Sequence, residues 1–406
     1  MKYILLASAS AFAFAGAAAA EVTFSGDAEL GYNDNAYPDN DGFYWSANIG
    51  VALTQELNNG LTAGASVNFD IADMNLGMGL DSADYVVWLE SENAGLYFGT
   101  TDTAAGKHWS GVDGMEADNF TTDASDAVGR PHRDSTGVYY DSISGLFGGY
   151  PHHYDSAPAV LRGDISYGGI DASVSYLVNM DHPDAGLEQL SLGASGSFGN
   201  FNFALAYQDG IDGGDSSSCS GIGCILNNWS GPGGGAWEAG GDFSTDRVFG
   251  LSVGTTFGGA DVTLAYAKND TQNFDSIGIQ GSYPIGPVTV GAYFVAQDGG
   301  DGNTWGITAD YASGPIGVSV GYEAYEATGV DADWWIDASY DVGNGLTVYA
   351  GVAGAGDAPY IAGEFDLGNG AALGLSYADD KAHSQDDEIG ARDYQEGATA
   401  WVSFTF

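Results

Sequence analysis

The chain has 406 residues, with 55 Asp and Glu against 9 Lys and Arg and a formal net charge of −46. Such acidity argues against nucleic acid as a partner, since phosphates would be repelled, and against a basic patch docked on anionic lipid. Aromatic residues at 13%, with 64 glycines and only 10 prolines, argue against disorder and for many short strands joined by tight turns.

The first twenty residues have the composition of a secretory signal. Lys2 supplies the positive start, Tyr3 to Phe14 the apolar run, and Ala18-Ala19-Ala20 the small-residue cleavage site. Residues 1–20 are therefore expected to be removed, leaving 21–406 as the mature chain. Beyond residue 20 no stretch of eighteen apolar residues occurs, so a membrane helix is excluded. If the chain crosses a membrane, it does so as a closed barrel.

Alternation with a period of two begins at the first mature residue. Val22, Phe24, Ala28, Leu30 and Tyr32 alternate with Glu21, Thr23, Ser25, Asp27 and Glu29. The same pattern recurs over 43–54 and 61–71, which predicts strands with one apolar and one polar face. Very short turns separate many of these strands. They are Asn58-Asn59-Gly60, Asn93-Ala94-Gly95, Gly168-Gly169, Phe198-Gly199-Asn200, Phe257-Gly258-Gly259, Ile285-Gly286-Pro287, Ser313-Gly314-Pro315, Asn344-Gly345 and Gly368-Asn369-Gly370. Longer polar loops lie between them, at 33–42, 72–83, 180–188, 209–245 and 379–394. Tight turns at one end and loops at the other predict an all-β transmembrane antiparallel barrel with an even number of strands between 16 and 20. Alternation is weakest over 274–312. A soluble sandwich or propeller fits less well, because no linker divides the chain and the apolar series is rich in Ala, Gly, Tyr and Trp.

One loop, 101–158, is far longer than the rest, and loops of that length inside a compact fold are usually functional. Lys107, Arg130 and Arg133 lie in it and Arg162 just beyond, four of only nine Lys and Arg. His108, His132, His152 and His153 are there too, with Asp113, Glu116, Asp118, Asp123 and Asp126. Opposed charges at a narrowing filter ions, so Lys107, Asp113, Glu116, Asp118, Arg130, Arg133 and Arg162 are the candidate constriction residues. On the following strand Val160, Arg162 and Asp164 share a face, which points Arg162 into the lumen. Loop 209–245 holds Cys219 and Cys224, the only cysteines. In an oxidising compartment such a close pair is expected to form a local disulfide; as a zinc site it is incomplete.

Other constellations are weaker. Asp298-Gly299-Gly300-Asp301-Gly302-Asn303 and the stretch Asp209 to Asp215 carry oxygen donors that could bind calcium, or are simply solvated acidic loops. His152-His153 with Asp155 is a poor metal set. Gly193-Ala194-Ser195-Gly196-Ser197 lacks the spacing of a nucleophile elbow. No cofactor and no catalysis are expected.

The chain ends with Ala398, Ala400, Val402, Phe404 and Phe406 on one face and Thr399, Trp401, Ser403 and Thr405 on the other. This close, with the opening Glu21-Val22-Thr23-Phe24-Ser25-Gly26-Asp27-Ala28 and the turns around Gly199 and Gly258, resembles the alphaproteobacterial members of the general bacterial porin family. The resemblance implies a homotrimeric diffusion channel in the outer membrane of a Gram-negative bacterium, in contact with its lipids and passing small hydrophilic solutes and ions. It also implies a third external loop folded into the pore and, usually, sixteen strands. The acid excess predicts a preference for cations, with Arg130, Arg133 and Arg162 facing Asp113, Glu116 and Asp118 across the narrowing. A substrate-selective channel is the first alternative, favoured by aromatic residues such as Trp88 and Trp401 on the polar faces. A barrel enzyme or adhesin is the second.

Overall fold

A computed structural model describes residues 20–35, 42–57, 60–73, 83–122, 159–178, 187–210, 246–299, 302–327, 332–354, 358–379, 394 and 396–406. The expected signal over residues 1–19, Arg130, Arg133, the histidines at 132, 152 and 153, and the Cys219–Cys224 pair lie outside these residues.

Twenty strands form. The first five are β1 (Glu21–Asn33), β2 (Gly42–Glu56), β3 (Thr62–Asp73), β4 (Ala83–Glu90) and β5 (Ala94–Gly99). A short helix, α1 (Ala104–His108), follows. Then come β6 (Ala159–Tyr167), β7 (Ile170–Val178), β8 (Leu187–Phe198), β9 (Phe201–Gly210) and β10 (Val248–Phe257). Next are β11 (Ala260–Asn269), β12 (Phe274–Ile285), β13 (Val288–Gln297), β14 (Thr304–Ser313) and β15 (Ile316–Tyr325). The last five are β16 (Asp333–Gly343), β17 (Leu346–Ala353), β18 (Ala358–Gly368), β19 (Ala371–Ala378) and β20 (Gly397–Thr405). Asp209 and Gly210, expected in a loop, complete β9.

Each strand pairs antiparallel with its neighbours in sequence, and β20 pairs with β1. The seam is fastened at its end by two backbone bonds of 2.8 Å, Gly26 N–H to Phe406 C=O and Phe406 N–H to Gly26 C=O. Closure removes every sheet edge, which is the condition for strands to survive in lipid. Nine of the connections are the tight turns. At Asn344-Gly345 both φ angles are positive, 56° and 87°, as a two-residue hairpin with the right-handed strand twist requires.

The apolar series faces outward and is exposed on every side, including Val22, Leu30, Val174, Leu192, Leu251, Ile279, Phe294, Ile307 and Leu375. A protein in water would not expose such a belt; a bilayer covers it. Tyr167, Phe198 and Phe257, each more than 80% exposed, ring the turn end together with Tyr340, Phe365 and Phe406. Rings at that level suit the lipid–water interface. Twenty strands spaced about 4.8 Å apart enclose a tube roughly 35–40 Å wide between backbones. Wall side chains cannot fill such a tube, so its bore depends on what chain enters it.

Candidate functional site: a segment folded into the lumen

After β5 the chain leaves the wall at Gly99, whose φ of +132° turns it inward beside Tyr85. Residues 101–122 then run along the inner surface from β6 towards β13. Thr103 starts α1: its hydroxyl accepts from Gly106 N–H (3.0 Å) and donates to Thr121 C=O (2.6 Å). The first-turn N–H groups of a helix lack internal partners, and here the barrel supplies them. Ala104 N–H donates to Ser175 Oγ of β7 (2.8 Å), and Ala105 N–H to Ser191 Oγ of β8 (2.7 Å). Farther on, Asp113, Glu116, Ala117 and Thr121 donate their N–H groups to Gln280, Gln297, Ser276 and Gln208 respectively. All these acceptors alternate with the exposed apolar series, so they belong to the inner face.

Apolar packing reinforces the tether. Ala105 and Phe120 are buried against Ala206 and Val248, with Trp109 packed on them, and Val112 is buried against Ala265 and Val295. The rings of Trp109 and Phe120 are 5.3 Å apart. Glycines on the inner face make room. A β-carbon on Gly193 would come within 2.8 Å of His108, and one on Gly278 within 2.8 Å of Val112. This covered stretch of wall accounts for the weak alternation over 274–312. Under the segment the inner face is dry, so Val295 and Tyr293 stand where a wet lumen would favour polar residues.

The charged root of the segment is built on Asp164. Its carboxylate takes Lys107 Nζ at 2.6 Å, Arg162 Nε at 3.0 Å and Ser173 Oγ at 2.7 Å. Arg162, buried as the inward reading expects, also donates to Asp102 C=O (2.6 Å) and Thr101 Oγ1 (3.2 Å) and stacks 4.9 Å over Tyr97. His108 is bridged by two wall serines, Nε2 to Ser173 at 2.7 Å and Nδ1 to Ser195 at 2.8 Å. Because Ser173 donates its hydrogen to Asp164, it accepts from Nε2–H, which leaves Nδ1 to Ser195. Burial holds the His108 pKa below the ordinary value and adjacent Lys107 lowers it further. A histidine touching a serine is also seen in hydrolases, but this one lies under α1 with its second nitrogen on Ser173, so the contact serves as a tether.

The acids of the segment are held along the wall. Asp113 accepts from Gln280 Nε2 (2.8 Å) and Glu116 from Gln297 Nε2 (2.7 Å). Asp118 accepts from Trp109 Nε1 (2.9 Å); burial raises its pKa more than that bond lowers it. The carboxylates paired with Arg162 are Asp102 and Asp164, whereas Asp113 and Glu116 sit against β12 and β13, six and seven strands away. Carboxylates elsewhere on the inner face take tyrosine hydroxyls in place of cations, as Glu90 does from Tyr97, Glu323 from Tyr293 and Asp337 from Tyr360. Among the described residues no group of three His, Cys, Asp or Glu is placed to hold a metal ion.

A family model described as Gram-negative porin matches residues 7–232 and 227–358. The chain belongs to the Gram-negative porin family. Solved structures similar to this porin include two triple-substituted variants of the Rhodopseudomonas blastica porin. Each is 15% identical, with the match covering 95% of this chain and 100% of the other at a TM-score of 0.42. No curated protein matches. This porin is thus an outer-membrane channel for passive diffusion of small hydrophilic solutes and ions, with twenty strands where sixteen were the usual expectation. What sequence reading missed were Asp102 and the wall residues Ser175, Ser191, Gln208, Gln280 and Gln297. Their signal was amide and hydroxyl side chains on one face of successive strands.

Proposed function

We propose that this porin is a general diffusion channel preferring cations, narrowed by residues 101–122, and that it works as a homotrimer without cofactor or catalysis. The observation that carries the preference is the balance of charge along the segment. Lys107 and Arg162 are matched by Asp164 and Asp102, while Asp113 and Glu116 are bonded to neutral glutamines. The segment therefore adds negative charge to an already acidic chain. Asp118 belongs to the narrowing as the partner of Trp109, and Arg130 and Arg133 join it on sequence alone.

A potassium chloride gradient across a planar bilayer holding the purified porin tests this reading. The zero-current potential should have the sign of cation selectivity; the opposite sign would overturn the preference. A substrate-selective channel is the second reading, favoured by Trp88 and Trp401 on the inner face. Conductance that saturates with one solute would establish it. The homotrimer is checked by the mass of the unheated, detergent-solubilised protein.

A further inference from the structure

Four residues stand in one row across β13 to β16. Tyr293 is opposite Gly306, Gly306 opposite Glu323, and Glu323 opposite Asp333. They alternate with the outward Phe294, Ile307, Tyr322 and Ile336, so all four face the lumen. Because Gly306 has no side chain, the Tyr293 ring lies across it and its hydroxyl donates to Glu323. One step along the same face, towards the turns, Trp335 is opposite Gly321 and its indole covers that glycine. One step the other way, Tyr325 follows Glu323 and its hydroxyl reaches Asp333 (3.5 Å). Glu323 is thus ringed on three sides by aromatic side chains, with a second carboxylate on the fourth.

Like charges placed directly opposite each other destabilise a sheet. The four described Lys and Arg residues are paired with Asp102, Asp164, Asp209 and Asp270. Among the described residues, then, no fixed cation offsets Glu323 and Asp333. A cation from solution has to do so, and the surrounding groups select its kind. No three His, Cys, Asp or Glu among the described residues are placed to hold a metal ion. Aromatic faces attract organic ammonium ions, whose charge sits over the ring. Position matters too, because the row lies beside residues 101–122. Tyr293 packs against the cluster around Val112, and a β-carbon on Gly114 would come within 2.9 Å of its ring. A solute that clears the edge of the segment passes these rings.

We propose that Tyr293, Tyr325 and Trp335 form an open aromatic cage that binds organic ammonium ions in transit, with the charge held between Glu323 and Asp333. The proposal rests on the cation preference argued above and names the class of cation that the lumen recognises. An uncharged solute of the same shape gains only ring contact, and an anion is repelled by the carboxylates.

The test uses the full-length porin in planar bilayers bathed in potassium chloride. Choline is the ammonium probe, and neohexyl alcohol its uncharged carbon isostere. Choline should lower the potassium current to a plateau, and the isostere should not. W335L removes the indole face and should raise the half-saturating choline concentration about two- to five-fold, the worth of one exposed cation–π contact. W335F keeps a face and should recover most of that loss; E323Q should weaken the effect as W335L does. Heat-dependent gel migration reports assembly; if W335L does not assemble, Y325L carries the same test. No plateau with choline, an equal plateau with the isostere, or an unchanged half-saturating concentration in the assembled leucine variant would overturn the cage. A plateau with glucose and none with choline would assign the rings to sugars and overturn it too. The zero-current potential of the wild type in a potassium chloride gradient decides the cation preference separately, so failure of the cage and failure of that preference are read apart.

Discussion

The indole of Trp109 fills the space a side chain on Gly250 would need: a β-carbon there would lie 2.6 Å from Cη2. Trp109 in turn packs on Phe120, donates to Asp118 and touches both buried apolar clusters beneath the segment. Gly250→Val should therefore unseat the segment while leaving the barrel assembled, because the β10 backbone bonds do not involve the side chain. Overpacking of this kind costs about 1–3 kcal/mol. The expected readings are normal assembly, red-shifted tryptophan emission and larger, noisier conductance steps. Unchanged emission and conductance would mean that this contact does not seat the segment.

His108 makes docking of the segment depend on pH. Burial and Lys107 lower its pKa in the docked state, and Arg162 adds to that, whereas Asp164 and Asp171 act the other way. A segment released into water would bind a proton near the ordinary value of about 6.5. Below that pH the released state holds more protons than the docked one, so docking weakens as pH falls and recovers as it rises. Open-channel noise should increase between about pH 6.5 and 5. His108→Gln should remove that pH response; noise that grows equally in the variant would place its source elsewhere.

The barrel was legible because lipid outside and water inside impose alternation residue by residue, and because tight turns need glycine or asparagine at positive φ. The nine short turns bounded the count at an even number between 16 and 20, and twenty strands form. The signal failed where its physical cause fails. Under residues 101–122 the lumen is not wet, so Val248, Ala265, Ala267 and Val295 break the polar series. The position of the segment was marked by Gly193, Gly250 and Gly278, but a glycine in a strand does not announce which ring will fill its gap. Pairing of Arg162 with Asp102 could not be read either, since it depends on the sharp turn at Gly99.

Phe406 should govern assembly more than conduction. Its backbone closes the seam with Gly26, and its side chain, 70% exposed, points outward at the turn end. A charge on the lipid face costs roughly 2–4 kcal/mol at the midplane and about 0–1 near the interface. At the turn end Phe406→Asp should cost the folded barrel little stability, so a sharply reduced assembled fraction, measured by heat-dependent gel migration, is expected only because the ring acts during assembly, and the molecules that do assemble should conduct normally. Full assembly of the variant would show that this ring plays no part in assembly.

Charge selectivity gives the most direct reading of residues 101–122. Asp113 and Glu116 are held by Gln280 and Gln297, so replacing both with Asn and Gln removes charge with little loss of packing. That variant should show a smaller cation preference. Arg162→Gln removes a buried cation and leaves Asp102 without its ion pair and Asp164 with Lys107. The lumen becomes more negative, and cation preference should rise. Loss of one partner of a buried pair can also loosen the structure, by about 3–5 kcal/mol, so Arg162→Lys serves as the control that keeps the charge. At about 0.15 M salt the Debye length is ~8 Å, and near 1 M it is ~3 Å. Both shifts should therefore be large in dilute salt and fade as salt rises. Zero-current potentials across the three variants decide the matter. If all three match wild type at low salt, the ions pass beyond the reach of these side chains, and the filter lies elsewhere in the lumen.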